Sequence, residues 1–314
     1  MFNVRPLDGG MGAQVTEMDF SQPIAKADAE RLRQLWIDRG VLVFPQAHID
    51  SARHVALSRV FGEPEVHPAR EGHVDGQPAL TRIQYDPANS ESASIYDVGG
   101  RMLANWLPWH IDLIYMPQIA RAGCLRGIVI PPESADTGFI DRIALHASLP
   151  AALKKQIAGQ RILYQLQPMA DRHRHFPCPD VRMTHIPDRI QALADRVASD
   201  FPVVSHPLEF RQTETGRMVL NFCPLFVHGI EGMGDGEAAD LIGQLREHVL
   251  GTSHRYMHRW REGDVVLWDN WRMLHSAEGT PVAHPRLLHR TTLAGDYGLG
   301  RVYQEEPRTR ASAA

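Results

Sequence analysis

Cysteine is scarce: Cys124, Cys178 and Cys223 are the only three in 314 residues, an odd number with no Cys-x-x-Cys spacing. That excludes a disulfide framework and a cysteine-based zinc site, and it fits a reducing compartment. Each thiol is left the role of a small apolar core residue. Long hydrophobic runs are missing too, since none approaches the roughly 18 residues that a membrane span needs. The opening Met-Phe-Asn-Val-Arg-Pro-Leu-Asp has no apolar signal core. The expected setting is the cytoplasm, with no membrane partner. Positive charge is not in excess: the formal net charge is −4, and no basic stripe with interleaved aromatics suggests nucleic acid. No internal repeat is visible. What is present, 43% hydrophobic and 22% charged residues, is ordinary for a globular protein long enough to bury a sizeable core.

Punctuation divides the chain. Leu32, Leu35 and Trp36 at helical spacing, stopped by Gly40, predict a helix over 27–39. Val41-Leu42-Val43-Phe44 reads as a buried strand. Asp50 or Ser51 caps a second helix that ends near Phe61 and Gly62. Residues 63–104 show no clear periodicity and are rich in Pro, Gly, Asp and Ser, which marks a lid or insertion. Ala122 to Ile130 alternates like a strand. Residues 139–158 look helical with a break at Leu149-Pro150, 167–187 are an irregular insertion, and 187–199 and 236–250 are helical. Further strands are expected at 203–210, 217–223 and 287–293. Many short strands with grouped helices predict a mainly β single domain over 1–314 with helical cover (α+β), a β-sandwich or jelly roll.

The chemistry concentrates in Trp109-His110-Ile111-Asp112. On an extended strand His110 and Asp112 project from the same face and can reach one metal ion; on a helix they diverge. With 17 histidines in the chain, a chance pairing is possible, and His173-x-His175 is a rival in a loop-like setting. Support lies downstream in Trp268-Asp269-Asn270-Trp271-Arg272-Met273-Leu274-His275, followed by Arg286 and Arg290. If that last segment is a strand, Arg286, Leu288 and Arg290 share one face. Two arginines aimed into one space call for an anion, and guanidinium is the best-shaped holder of a carboxylate. Two histidines and one acid leave metal positions open, as in non-haem Fe(II) oxygenases.

The order and spacing of these stretches resemble the TauD/TfdA family of Fe(II)- and 2-oxoglutarate-dependent dioxygenases. The resemblance runs from Gly-Val-Leu-Val-Phe and Arg-Val-Phe-Gly-Glu-Pro-Glu, through Trp-His-Ile-Asp and Val-Ile-Pro-Pro-Glu-Ser-Ala-Asp-Thr, to Arg-Trp-Arg-Glu-Gly-Asp-Val-Val-Leu-Trp-Asp-Asn and the His275, Arg286, Arg290 spacing. The later stretches look closer to the TfdA-like, aryloxyalkanoate branch. The resemblance implies a double-stranded β-helix (jelly roll) with helices outside, and Fe(II), 2-oxoglutarate and O2 as cofactor and co-substrates. It implies His110, Asp112 and His275 as iron ligands. Thr137 and Arg286 would hold the far carboxylate of 2-oxoglutarate, with Arg290 near the co-substrate or the substrate's acidic group. Trp268 would wall the pocket, and His67 and Asn105 would contact substrate. The implied reaction hydroxylates a small carboxylate or sulfonate and releases succinate and CO2, with ether or C–S cleavage through an unstable product. A desaturase, epoxidase or amino-acid-derivative hydroxylase is the alternative, followed by a non-catalytic metal-binding jelly roll. Asp112 stands where a halogenase would have Ala or Gly. Relatives are commonly dimers or tetramers. The 42 residues between His67 and His110 exceed the taurine-branch expectation and leave substrate identity open.

Overall fold

Val41–Phe44 and Val265–Asp269 are buried along their whole length, and their position explains why they read as continuous apolar runs. They are adjacent inner strands of an eight-stranded sheet. Val41, Val43, Val266 and Trp268 face a second sheet, while Leu42, Phe44, Val265 and Leu267 pack beneath helices on the other side. A computed structural model of the chain describes residues 2–66, 73–74, 76–133 and 135–304. It is mostly β with six α-helices among those residues: α1 Lys26–Arg39, α2 Ser51–Arg59, α3 Arg142–Ser148, α4 Ala151–Ile157, α5 Asp188–Asp200 and α6 Asp235–Leu250. None is long and apolar enough to cross a membrane.

The major sheet runs Asn3–Pro6, Ala13–Thr16, Val41–Phe44, Val265–Asp269, Ala122–Val129, Arg286–Leu293, Gln77–Tyr85, His73–Val74 in spatial order. Only the pair Ala13–Thr16 with Val41–Phe44 is parallel. Facing it is a four-stranded antiparallel sheet, in the order Arg255–His258, Thr137–Asp141, Met273–Ala277, Leu107–His110. Phe139, Met273 and Tyr256 from the smaller sheet meet Val43, Leu125, Val266, Trp268 and Leu288 from the larger one. Outside the major sheet, Leu32 and Trp36 of α1 and Leu57 of α2 close a second core. The largest core gathers Ile140 and Leu274 with Leu145, Leu153, Leu241 and Leu245 of α3, α4 and α6.

The helix signals hold. Gly40 ends α1 at φ 78°, and its N–H donates to the Trp36 carbonyl at 2.7 Å. A Cβ there would fall 2.1 Å from the Met273 methyl, so the turn and the close approach both require glycine. Asp50 caps α2 by accepting the Arg53 N–H at 2.8 Å. The three thiols are free, with Cys124 and Cys223 buried and Cys178 half-buried, and burial pushes all three up, to about 12, 12 and 11.

Three expectations need correction. Helix does not begin at 139. Thr137–Asp141 is a strand, and Asp141 accepts the Ile143 N–H at 2.9 Å to start α3. Residues 63–104 are not a featureless loop, since they supply Gln77–Tyr85 to the major sheet and the hairpin Ile95–Val98 with Arg101–Ala104. Residues 167–187 contain the strand Val181–His185, which pairs with Ile95–Val98. The two stretches read as separate insertions thus join in one four-stranded sheet, completed by Thr280–Pro281 against Arg101–Ala104.

Candidate active site

His110 and His275 sit opposite one another on neighbouring strands of the smaller sheet. Directly opposed residues on one sheet face are in side-chain contact, and here the ring centroids are 4.0 Å apart. His110 is the last residue of its strand. The chain then turns and returns the Asp112 carboxylate to both rings, with Oδ1 3.7 Å from Nε2 of His110 and Oδ2 3.4 Å from Nε2 of His275. The three candidate ligand atoms lie within 4.8 Å of one another, and this is the one such group of His, Cys, Asp or Glu among the described residues. His110 and Asp112 meet, but not as two residues of one strand face: Asp112 stands in the turn beyond the strand, not in it.

That turn is held by Asn270, a residue to which sequence pattern alone assigns no role. The buried Asn270 side chain accepts the Asp112 N–H at 3.0 Å and donates to the carbonyls of Asp112 at 3.1 Å and Ala120 at 2.9 Å. Its own carbonyl accepts from Arg142 at 3.2 Å. The available signal was its place, one residue past a buried strand in Trp-Asp-Asn-Trp, where a polar amide must find partners.

Electrostatics favour a metal-binding protonation state. Burial pushes the Asp112 carboxyl up. Arg290, bonded to Oδ2, outweighs that together with His275 and holds it well below the usual carboxylate range. Burial, reinforced by His110, pushes His275 down to about 4, so its imidazole is neutral at pH 7. The Pro108 carbonyl accepts from Nδ1 of His110 at 2.8 Å, which leaves Nε2 turned to Asp112. Second bonds of this kind orient histidine ligands. Two imidazole nitrogens and one carboxylate oxygen match the facial donor set of non-haem Fe(II) sites.

The arginine strand behaves as its alternation predicts. Leu288 packs into the core between the two sheets, and on the same face Arg290 reaches Asp112 and lies 5.4 Å from the Trp268 ring centre. On the opposite face Thr291 contacts Ser58 and His289 contacts Arg126. Arg286 is 6% exposed, donates to the Ala135 carbonyl at 2.9 Å, and keeps Nε buried without a partner. Burial pushes its pKa down to about 10, with Asp136 opposing. Among the described residues no carboxylate forms an ion pair with Arg286. A buried guanidinium in that condition awaits an anion.

A family model described as "Taurine catabolism dioxygenase TauD, TfdA family" matches residues 3–292. The chain belongs to this family. Like other TauD/TfdA proteins it has relatives of known activity. One is the (S)-phenoxypropionate/alpha-ketoglutarate-dioxygenase of Sphingobium herbicidovorans, 28% identical over 94% of this chain and 96% of that one. Another is the alpha-ketoglutarate-dependent 2,4-dichlorophenoxyacetate dioxygenase of Cupriavidus pinatubonensis, 26% identical over 93% and 97%. Among solved structures, a taurine dioxygenase from Burkholderia xenovorans aligns over 94% of this chain and 91% of that one, with a TM-score of 0.70 and 26% identity.

The remaining predicted positions of this TauD/TfdA chain sort as follows. Thr137 is buried, and its hydroxyl accepts the Trp260 indole N–H at 2.9 Å. Trp268 is fully buried with its ring centre 4.9 Å from that of His275. Gly123 makes room for it, because a Cβ there would meet the indole at 2.3 Å. Asn105 has φ 54°, a region asparagine tolerates, and its amide donates to the Gln84 carbonyl at 3.1 Å; the structure ties it to a turn. His67 lies outside the described residues. The rival pair is not brought to a metal centre: His173 Nδ1 accepts the Phe226 N–H at 3.0 Å, and burial pushes that imidazole down to about 4.

Proposed function

We propose that this chain is an Fe(II)- and 2-oxoglutarate-dependent dioxygenase that hydroxylates a small acidic substrate. The observation that carries the proposal is the meeting of His110, Asp112 and His275 at one point, with the under-bonded, buried Arg286 on the strand whose Leu288 packs between the same two sheets. In this reading the facing sheets are a double-stranded β-helix, and the cleft between them is the active site. His110, Asp112 and His275 hold the iron. Arg286 and Thr137 hold the far carboxylate of 2-oxoglutarate, and Trp268 walls that pocket. Once bound, iron and 2-oxoglutarate supply the oxidising chemistry, in which O2 is consumed, succinate and CO2 are released and a substrate C–H bond becomes C–OH.

The protein's own work is placement and protection. Arg290 keeps Asp112 ionised, and it retains a buried Nε without a partner that suits the acidic group of a substrate. Asn270 fixes the turn that aims Asp112. Phe139 and Trp268 pack around His275 and exclude water from the reacting centre. The hairpin Ile95–Val98 with Arg101–Ala104 and the strand Val181–His185, joined in one sheet, form the cover on the substrate side in this reading. The relatives named above act on aryloxyalkanoic acids by name, and such acids lead the substrate list here. Hydroxylation beside an ether oxygen would give a hemiacetal-like product that splits.

The test is anaerobic titration of the Fe(II)-loaded protein with 2-oxoglutarate. A visible metal-to-ligand band is expected, and His110→Ala or Asp112→Ala should abolish both the band and substrate-dependent succinate release. Persistence of both in either variant would remove the ligand assignment. A panel of aryloxyalkanoates, alkyl sulfonates and alkyl sulfates, scored by succinate, should contain at least one member that drives turnover; if neutral analogues work equally well, the acidic-substrate reading is wrong.

A further inference from the structure

The Trp260 indole N–H can only donate. In its 2.9 Å contact with Thr137 Oγ1 the threonine oxygen must therefore accept. A hydroxyl carries one hydrogen, and with Trp260 occupying a lone pair that hydrogen is turned away from the indole. Threonine is also stiff at χ1. Both residues are buried.

The direction of that hydrogen matters because of what lies alongside. Ala135, two residues before Thr137, provides the carbonyl that accepts from Arg286, so Arg286 is tied to the segment that leads into Thr137. Trp260 is itself fixed. The His258 ring stands against it at 4.6 Å and 89°. His258 is hydrogen-bonded to the Tyr256 hydroxyl at 2.9 Å, and its Nε2 lies 3.2 Å from Asp264 Oδ2. Asp264 in turn accepts the backbone N–H groups of Gln46 at 2.8 Å and Arg261 at 2.9 Å. His258 is also the register partner of Thr137 on the neighbouring strand.

We propose that Trp260 is a positioning residue for the co-substrate: its N–H presets the Thr137 hydroxyl as a donor to the far carboxylate of 2-oxoglutarate, beside the charge of Arg286. This rests on the reading of Thr137 and Arg286 given above. The role is preorganisation, in which the donor is aimed before the carboxylate arrives. Trp260 touches neither iron nor substrate in this scheme and acts through Thr137 alone.

The test uses the Fe(II)-loaded protein without oxygen, titrated by calorimetry with 2-oxoglutarate and with 2-oxobutyrate, which shares the 2-oxo acid but lacks the far carboxylate. Trp260→Phe should weaken 2-oxoglutarate about tenfold and leave 2-oxobutyrate unchanged. Thr137→Val should do the same, and adding Trp260→Phe to it should cost nothing further. If the phenylalanine variant does not fold, 3-benzothienylalanine at position 260, which keeps both rings and lacks the N–H, carries the same expectation. Equal weakening of both ligands would overturn the proposal, as would an additive double variant. Arg286→Met separates the two levels. If it weakens 2-oxoglutarate while Trp260→Phe does not, Trp260 is idle and the co-substrate site stands; if it too has no effect, the site assignment itself falls.

Discussion

Two buried arginines, Arg142 and Arg286, make the instructive comparison. Arg142 is fully buried and donates to four acceptors: the carbonyls of Leu220, Asn270 and Trp271 and the amide oxygen of Asn221. Arg286, nearly as deep, has one, the Ala135 carbonyl. Burial lowers the pKa of both, so each carries the cost of a charge taken out of water. Both keep a buried Nε without a partner, but in the first region folding offsets the cost at the other two nitrogens with four of the protein's own oxygens. In the second the protein supplies one acceptor only, and in the proposed reading the carboxylate of 2-oxoglutarate supplies the rest. Equal burial with unequal satisfaction separates a structural girder from a receptor.

The same substitution at both positions would break or sharpen that contrast. The largest expected effect is Arg286→Met, which removes two charge-assisted hydrogen bonds worth roughly 1.5–3 kcal/mol each to a bound carboxylate. 2-Oxoglutarate should weaken by on the order of 10²-fold or more, measured by anaerobic titration. The melting temperature of the ligand-free protein should hold or rise, because a poorly compensated buried charge has gone. Next comes Arg142→Met. It strands buried acceptors at about 1–3 kcal/mol apiece, so the melting temperature should drop sharply while the co-substrate affinity of the folded protein stays near wild type. An exchange of these outcomes would erase the distinction.

The smallest effect lies outside that contrast and concerns the fold as a whole. Burial pushes His54, His173 and His206 down to about 3, 4 and 4. The folded chain keeps them neutral while the unfolded chain takes up protons below about pH 6.5. Stability is therefore intact above that pH and lost progressively as pH falls toward 4. Urea midpoints at pH 7.5 and pH 5 should differ in that direction; equal midpoints would show that these histidines are protonated without unfolding.

How much was legible in the sequence follows the same physics. Helix ends were readable because Gly40 and Asp50 act locally, through one φ angle and one capping bond. Val41–Phe44 and Val265–Asp269 were readable because strands covered on both faces must be apolar throughout. The arginine strand was readable because its two faces differ in chemistry. Gln77–Tyr85 was not, since Thr81, Ile83 and Tyr85 pair opposite Arg290, Leu288 and Arg286, and a strand whose neighbours are charged mixes polar and apolar residues without clean alternation. The Thr137–Asp141 strand was absorbed into the following helix because Phe139 and Ile140 continue its apolar pattern. Asn270 and Trp260 are not legible because each acts through side-chain hydrogen bonds to residues more than a hundred positions away, and periodicity carries no trace of such a partnership.

The small sheet that ties Ile95–Val98 and Arg101–Ala104 to Val181–His185 and Thr280–Pro281 has a consequence for anyone who would retune this enzyme by grafting. A chimaera that imports one of these segments from a cousin and keeps the native version of the others strands backbone donors and acceptors along the seam. Because Thr280 is only five residues past His275, the misfit would be felt within a short step of the metal. Exchanges along that seam should succeed only as matched sets, which makes the strand pairing, more than any single residue, the unit of exchange.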